Sequence, residues 1–158
     1  MNHRKIIDRI LEVLLIVILS ILVLDVVWQV ASRYLLANPS KFTDELAGFL
    51  LMWVSLFGAA WVTGKNQHMA INLLERKLKG QSRKIIRLII NLIVILFAVF
   101  VFLVGGTWFV YTRFHLGQIS PALELPLGYV YLVLPLSGLF ILYYSIDNTI
   151  NEMTSKIR

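Results

Sequence analysis

The chain contains no cysteine, which excludes disulfide bonds, thiolate catalysis and cysteine-held iron–sulfur clusters. Histidine is scarce too: His3, His68 and His115 all lie outside the long apolar runs. A membrane redox subunit would hold haem with histidines inside its helices, so this distribution argues against that class of protein. No histidine and carboxylate cluster has metal-ligand spacing, and no serine has an evident catalytic base. The sequence therefore predicts a protein that is not an enzyme.

Charge is also scarce, because 15% of the 158 residues are charged and 58% are hydrophobic. The apolar residues gather in four runs, at 13–31, 46–63, 88–112 and 127–146. A helix rises about 1.5 Å per residue, so roughly 20 residues cross a hydrocarbon core about 30 Å thick. The sequence therefore predicts an all-α membrane protein. We expect one membrane domain (1–158) with four transmembrane helices, over approximately 10–34, 45–63, 85–112 and 126–147.

The basic residues are distributed unevenly between the two ends of these spans. Twelve Lys and Arg residues lie in the N-terminal segment, the 64–87 segment and the C-terminal tail. Three lie on the opposite side, namely Arg33, Lys41 and Arg113. The positive-inside rule then places both termini and the central loop in the cytoplasm. The net charge of +6 is explained by anionic phospholipid headgroups, and no nucleic-acid partner is expected.

The central loop carries a helical pattern of its own. Ile71, Leu74 and Leu78 recur at i, i+3 and i+7. This spacing predicts a short amphipathic helix over about 69–79, lying in the cytoplasmic interface. We expect the basic side chains of this region to contact lipid headgroups: Arg76, Lys79, Arg83, Lys84 and Arg87.

Polar and small residues inside the spans are few. Asp25 is followed one helical turn later by Gln29, and a carboxylate inside a span is a functional candidate by default. The alternative is structural, because Asp25 lies toward the outer edge of its run and could pair with Arg33 or a neighbouring subunit. Pro135 should kink the fourth helix, and small residues permit close helix contact. The residues expected to serve helix packing are Asp25, Gln29, Trp53, Gly58, Asn91, Gly105, Gly106 and Pro135.

Charged residues at the outer ends of the spans are candidates for docking a partner. They are Arg33, Lys41, Asp44, Glu45, Arg113 and Glu124. Asp44 and Glu45 have a second interpretation, because carboxylates in a first helical turn favour the positive end of the helix dipole. Arg33 and Lys41 could likewise lie at the headgroups.

Several short stretches together resemble a known family. They are Arg33, SKFTDELA at 40–47, FLLMW at 49–53, Gly58-Ala59-Ala60, Gly64, His68 and INLL at 71–74, then SPAL at 120–123, Pro126, Tyr131 and Leu134-Pro135. In this order and topology they resemble the small, DctQ-like membrane subunit of tripartite ATP-independent periplasmic (TRAP) transporters. The chain departs from the family pattern at Phe42, where Trp is frequent, at Asp44, where Glu is frequent, and at 65–68, where a Gly-Glu-His type turn is frequent.

The resemblance implies a role in solute uptake, as a multi-pass protein of a bacterial inner membrane. Such subunits pair with a large membrane subunit that holds the substrate and sodium sites, so no cofactor is expected in this chain. A periplasmic solute-binding protein delivers an acidic solute, such as a dicarboxylate or sialic acid. The small subunit would be part of the stationary scaffold and would help to dock the binding protein.

One alternative function stays open from the residues themselves. Small multidrug-type transporters also have four helices and a critical carboxylate in the first. This chain would then be a self-sufficient, proton-coupled transporter that uses Asp25 as its proton and substrate site. Asp25 lies off centre and the central basic loop is long, which favours the scaffold role.

Overall fold

A computed structural model describes residues 2–35, 41–65 and 81–154. Within these residues four helices are long and apolar enough to cross a membrane: Arg4–Leu35, Phe42–Gly64, Ile85–His115 and Leu127–Asn151. The described part of the chain contains no strand and only one isolated bridge. The all-α membrane fold with four transmembrane helices is therefore confirmed. The expected interfacial helix at 69–79, with Arg76 and Lys79, lies outside the described residues.

The first helix, α1 (Asn2–Leu35), is buried along one narrow seam. Its buried residues are Leu11, Ile18, Asp25 and Ser32, which follow one another at seven-residue intervals. This is the heptad spacing with which helices pack at a shallow angle. Most other apolar side chains of α1 are exposed in the isolated chain. A membrane protein must cover such a wide apolar face with lipid or with another protein.

The second helix, α2 (Lys41–Gly64), ends against the last helix of the chain. A Cβ atom added at Gly64 would lie 2.7 Å from the ring of Tyr144, so only glycine permits this approach. Asn148 donates a hydrogen bond from Nδ2 to the carbonyl oxygen of Thr63 at 3.0 Å. The carbonyl groups at the end of a helix lack intrahelical donors, and Asn148 supplies one.

The third span changes its helical type along its length. It runs through α3 (Gln81–Phe97), a π-helical segment (Ala98–Gly105) and α4 (Gly106–His115). A Cβ atom at Gly106 would lie 3.0 Å from Cβ of Leu134. Small residues at such positions let transmembrane helices approach closely.

The fourth span is interrupted near its start. It consists of α5 (Leu127–Tyr131) and α6 (Val133–Thr154), with a turn at Leu132 between them. Pro135 follows shortly after and has no N–H to donate to the carbonyl of Tyr131. Proline therefore accounts for one lost helical hydrogen bond at this place.

The described chain forms two compact units. The first comprises Met1–Gly58 and Trp108–Val133, and the second Ala59–Thr107 and Leu134–Arg158. The first unit buries Phe57, Val110 and Val130. The second buries Tyr144 and Ser145, which are fully inaccessible.

Candidate functional site

The polar residues of the first unit converge at the end of α2 that contains Glu45. The side chain of Glu45 is half-buried in the second turn of α2. Its Oε2 atom accepts hydrogen bonds from the backbone N–H groups of Ala122 and Leu123, at 2.9 and 3.0 Å. Hydrogen bonds to a carboxylate are about twice as strong as neutral ones. Glu45 therefore ties α2 to the segment at 116–127, which we call the 116–127 loop.

The 116–127 loop has a defined backbone fold. The N–H of Leu127 donates to the carbonyl of Gln118 at 2.9 Å, and that of Ser120 donates to the carbonyl of Leu125 at 2.9 Å. The N–H of Glu124 donates to the carbonyl of Ser120 at 3.1 Å and closes a single turn. Glu124 itself is exposed and has a φ of 52°, in the left-handed region. Residues other than glycine occupy that region only where their surroundings hold them there.

Arg113 holds the other end of this loop. Its guanidinium group lies over the ring of Phe109, 4.3 Å from the centroid, and 5.7 Å from that of Tyr131. It also donates a hydrogen bond to the side-chain oxygen of Gln118. Arg113 is half-buried, and its Nε atom is buried without a hydrogen-bond partner among the described residues. The arginine is thus engaged by aromatic faces and by the loop.

The remaining docking candidates have different surroundings. Nε2 of Gln29 donates to Oδ1 of Asp44 at 2.7 Å, which joins α1 to the first turn of α2. Asp44 is exposed, and so is Arg33 in the last turn of α1. Lys41 is the first residue of α2, and its side chain lies outside the described part. The structure therefore brings Glu45 to the loop that carries Glu124, and Gln29 to Asp44.

Asp25 lies on the buried seam of α1 with 8% of its surface exposed. Its Oδ2 atom is buried and has no hydrogen-bond partner among the described residues, and no ion pair joins it to Arg33. A carboxylate in this position is costly inside a membrane, which makes Asp25 a candidate functional residue.

The predicted packing residues occupy different environments. Trp53 donates from Nε1 to the carbonyl of Val130 at 2.9 Å, and a Cβ atom at Gly106 would meet Pro135 as well as Leu134. A Cβ atom at Gly58 would meet no atom within 4 Å. Two further packing candidates are Gly105, which closes the π-helical segment, and Asn91, which is half-buried on α3. Of the lipid-interface candidates, Arg87 is half-buried on α3, and the side chains of Arg83 and Lys84 lie outside the described residues.

Two features of this site have no counterpart among the predicted residues. Gln118 engages Arg113 through its side chain, and the backbone N–H groups of Ala122 and Leu123 engage Glu45. The Ser120-Pro121 pair predicts the turn that follows it, but no pattern of side chains in the sequence predicts that Glu45 will accept hydrogen bonds from its backbone N–H groups. Across residues 2–35, 41–65 and 81–154, no group of three His, Cys, Asp or Glu side chains could hold a metal ion.

The family model for the DctQ component of tripartite ATP-independent periplasmic transporters matches residues 22–155. This chain belongs to the DctQ family. The resemblance seen in the sequence is confirmed, and the chain is a multi-pass membrane subunit of a transport system, not an enzyme.

Named relatives agree with this membership. A Haemophilus influenzae protein, provisionally named a TRAP transporter small permease protein, is 25% identical over 85% of this chain and 82% of its own length. The sialic acid TRAP transporter small permease protein of Vibrio cholerae is 27% identical over 95% of this chain and 85% of its own. The C4-dicarboxylate TRAP transporter small permease protein of Rhodobacter capsulatus is 31% identical over 61% of this chain and 42% of its own.

Proposed function

We propose that this chain is the small scaffold subunit of a sodium-coupled TRAP transporter that takes up an acidic solute across the bacterial inner membrane. The match to the DctQ family over residues 22–155 carries this proposal. The solute is a dicarboxylate or a sialic-acid-like compound, since relatives are named for sialic acid and for C4-dicarboxylates. Both classes are carboxylates, and sodium and solute bind in the large partner subunit.

The surface of α2 supports packing against that large subunit. Gly48, Leu51, Ser55 and Ala59 are exposed and follow one face of α2. A Cβ atom at Gly48 would meet nothing within 4 Å, and Ser55 satisfies its hydroxyl internally by donating to the carbonyl of Leu51 at 2.7 Å. Three of these four residues, Gly48, Ser55 and Ala59, are small, and transmembrane helices associate through small residues because the backbones can approach closely. We propose that the large subunit packs on this face.

The charge distribution supports the orientation. Twelve of the fifteen Lys and Arg residues lie on the side of both termini, so we place both termini in the cytoplasm. The end that carries Glu45 and the 116–127 loop then faces the periplasm. There it is accessible to a periplasmic solute-binding protein, and we propose that this end helps to dock it.

Reconstitution tests the proposal directly. Liposomes would contain this chain alone, the large subunit alone, or both, with the binding protein and labelled sialic acid or C4-dicarboxylate outside. We expect uptake only with both subunits, the binding protein and an inward sodium gradient. Uptake by this chain alone would contradict the scaffold role, and undiminished uptake under a potassium gradient would contradict sodium coupling.

Assembly can be tested separately on the α2 face. Gly48→Leu should reduce co-purification with the large subunit, because the added side chain keeps the helices apart. Ile93→Phe, a similar enlargement at an exposed position of α3, is the matched control. Equal co-purification of both variants would place the contact with the large subunit elsewhere.

A further inference from the structure

Glu45 was one of six outer-face candidates for contact with a partner, but its carboxylate is directed inward. The side chain is half-buried, and Oε2 accepts from two consecutive N–H groups that follow it by 77 and 78 residues in sequence. A carboxylate oxygen that already accepts two hydrogen bonds, at 2.9 and 3.0 Å, would have to give them up to bind a partner. Glu45 is therefore a poor docking residue by itself.

The two donors belong to the first part of a one-turn segment. That turn is closed by the N–H of Glu124 and the carbonyl of Ser120. The first N–H groups of a helical turn have no acceptor within the turn. Glu45 supplies the missing acceptor to Ala122 and Leu123, and its negative charge strengthens both bonds.

The turn ends on Glu124, which is the non-glycine residue with a positive φ among the described residues. Glu124 has a φ of 52°, and its side chain is exposed, as is that of its neighbour Leu125. The loop must offset the cost of this conformation with hydrogen bonds. The two bonds to Glu45 join the turn to α2, so they contribute to where Glu124 and Leu125 are presented.

We propose that Glu45 is a positioning residue, which holds the 116–127 loop so that Glu124 and Leu125 form a preorganised contact for the solute-binding protein. The partner surface would carry a basic side chain opposite Glu124 and an apolar contact for Leu125. A preorganised loop loses less conformational entropy when it docks. A disordered loop would therefore bind more weakly, even though Glu124 and Leu125 still contact the partner. This inference rests on the docking role proposed above.

A pair of variants distinguishes positioning from direct charge contact. Glu45→Gln keeps a carbonyl oxygen that can accept both N–H bonds but removes the charge, whereas Glu45→Ala removes the acceptor. In the complete reconstituted transporter we expect Glu45→Ala to raise the half-saturating concentration of binding protein by about tenfold, with an unchanged maximal rate. Glu45→Gln should raise it less than about threefold. Glu12→Ala, at an exposed position of α1, is the control.

Three other outcomes would overturn the inference. Equal weakening by Glu45→Gln and Glu45→Ala would make Glu45 a direct charge contact. No change in either, while Glu124→Lys weakens docking, would leave the docking role intact and remove the positioning role. No change in any of the three would show that this loop does not dock the binding protein, so the docking proposal itself would be wrong.

The loop can also be observed without transport. The chain has no cysteine, so Leu125→Cys provides a single site for a nitroxide spin label. We expect an immobilised label with Glu45 or Gln at position 45 and a mobile label with Ala. Lys65→Cys, an exposed site in the second unit, should give the same spectrum in all three backgrounds. If Glu45→Ala fails to fold, the label at position 125 can still be compared between the wild-type and Glu45→Gln backgrounds, and we expect the same mobility in both. A mobile label in Glu45→Gln would contradict positioning by hydrogen bonds.

Discussion

The indole Nε1 of Trp53 donates a hydrogen bond to the carbonyl oxygen of Val130 at 2.9 Å, and so joins α2 to α5 across 77 residues of sequence. Val130 lies just before the turn at Leu132, where α5 gives way to α6. Carbonyl groups at a helix end lack intrahelical donors. Trp53 therefore connects two helices and supplies one of the missing donors at an interruption of the fourth span.

Trp53→Phe should destabilise the chain by about 1 kcal/mol, because phenylalanine keeps most of the ring but loses the N–H donor. Thermal unfolding in detergent would measure the change. Trp108→Phe, at a site where the indole is 71% exposed, should unfold close to the wild-type temperature. If both variants unfold alike, the hydrogen bond to Val130 contributes nothing measurable.

Gly64→Ala should destabilise the chain by about 2 kcal/mol, because the new methyl group overlaps the ring of Tyr144. Gly58→Ala in the same helix has open space at its Cβ position and should be neutral, or stabilising by up to about 1 kcal/mol. Denaturant unfolding of the isolated subunit compares the two. A stable Gly64→Ala protein would mean that Tyr144 moves aside at little cost.

Asn148→Ala should destabilise the chain by about 1–2 kcal/mol, since it leaves the buried carbonyl of Thr63 without its donor. Asn151→Ala is the matched control, because Asn151 is exposed and bonds to the side chain of Asp147. Its unfolding should change by less than about 0.5 kcal/mol. Similar losses for both would attribute the effect to helix propensity in α6.

Apolar runs were sufficient to predict the four transmembrane helices, because a span must be long, apolar and internally hydrogen-bonded. The π-helical segment could not be predicted from hydrophobic periodicity or from the length of the apolar run, because all its residues belong to one continuous apolar run. A π-helix differs from an α-helix in its i→i+5 hydrogen bonds, and a uniformly apolar sequence does not indicate this pairing.

The candidate site was less accessible to sequence reasoning. Asp44 and Glu45 are adjacent and were given the same two interpretations, as dipole-stabilising or docking residues. In the structure Asp44 bonds to the side chain of Gln29, whereas Glu45 bonds to backbone N–H groups of a distant loop. Local sequence cannot predict which carboxylate bonds to a side chain and which to a backbone, because the partner of each depends on which segments pack beside it.

Asp25→Asn distinguishes the scaffold role from a self-sufficient proton-coupled transporter. Asparagine has nearly the same shape but cannot exchange a proton, so a transporter that uses Asp25 as its proton site would lose activity completely. In a scaffold subunit Asp25 serves only the buried seam of α1. Its Oδ2 atom has no hydrogen-bond partner among the described residues, so removing the charge should not weaken packing. We therefore expect solute uptake by the complete system to stay within about twofold of wild type. A tenfold change would correspond to a free-energy difference of about 1.4 kcal/mol. Ser32→Ala, on the same seam, controls for packing effects, and abolished uptake in Asp25→Asn alone would assign the carboxylate a direct part in transport.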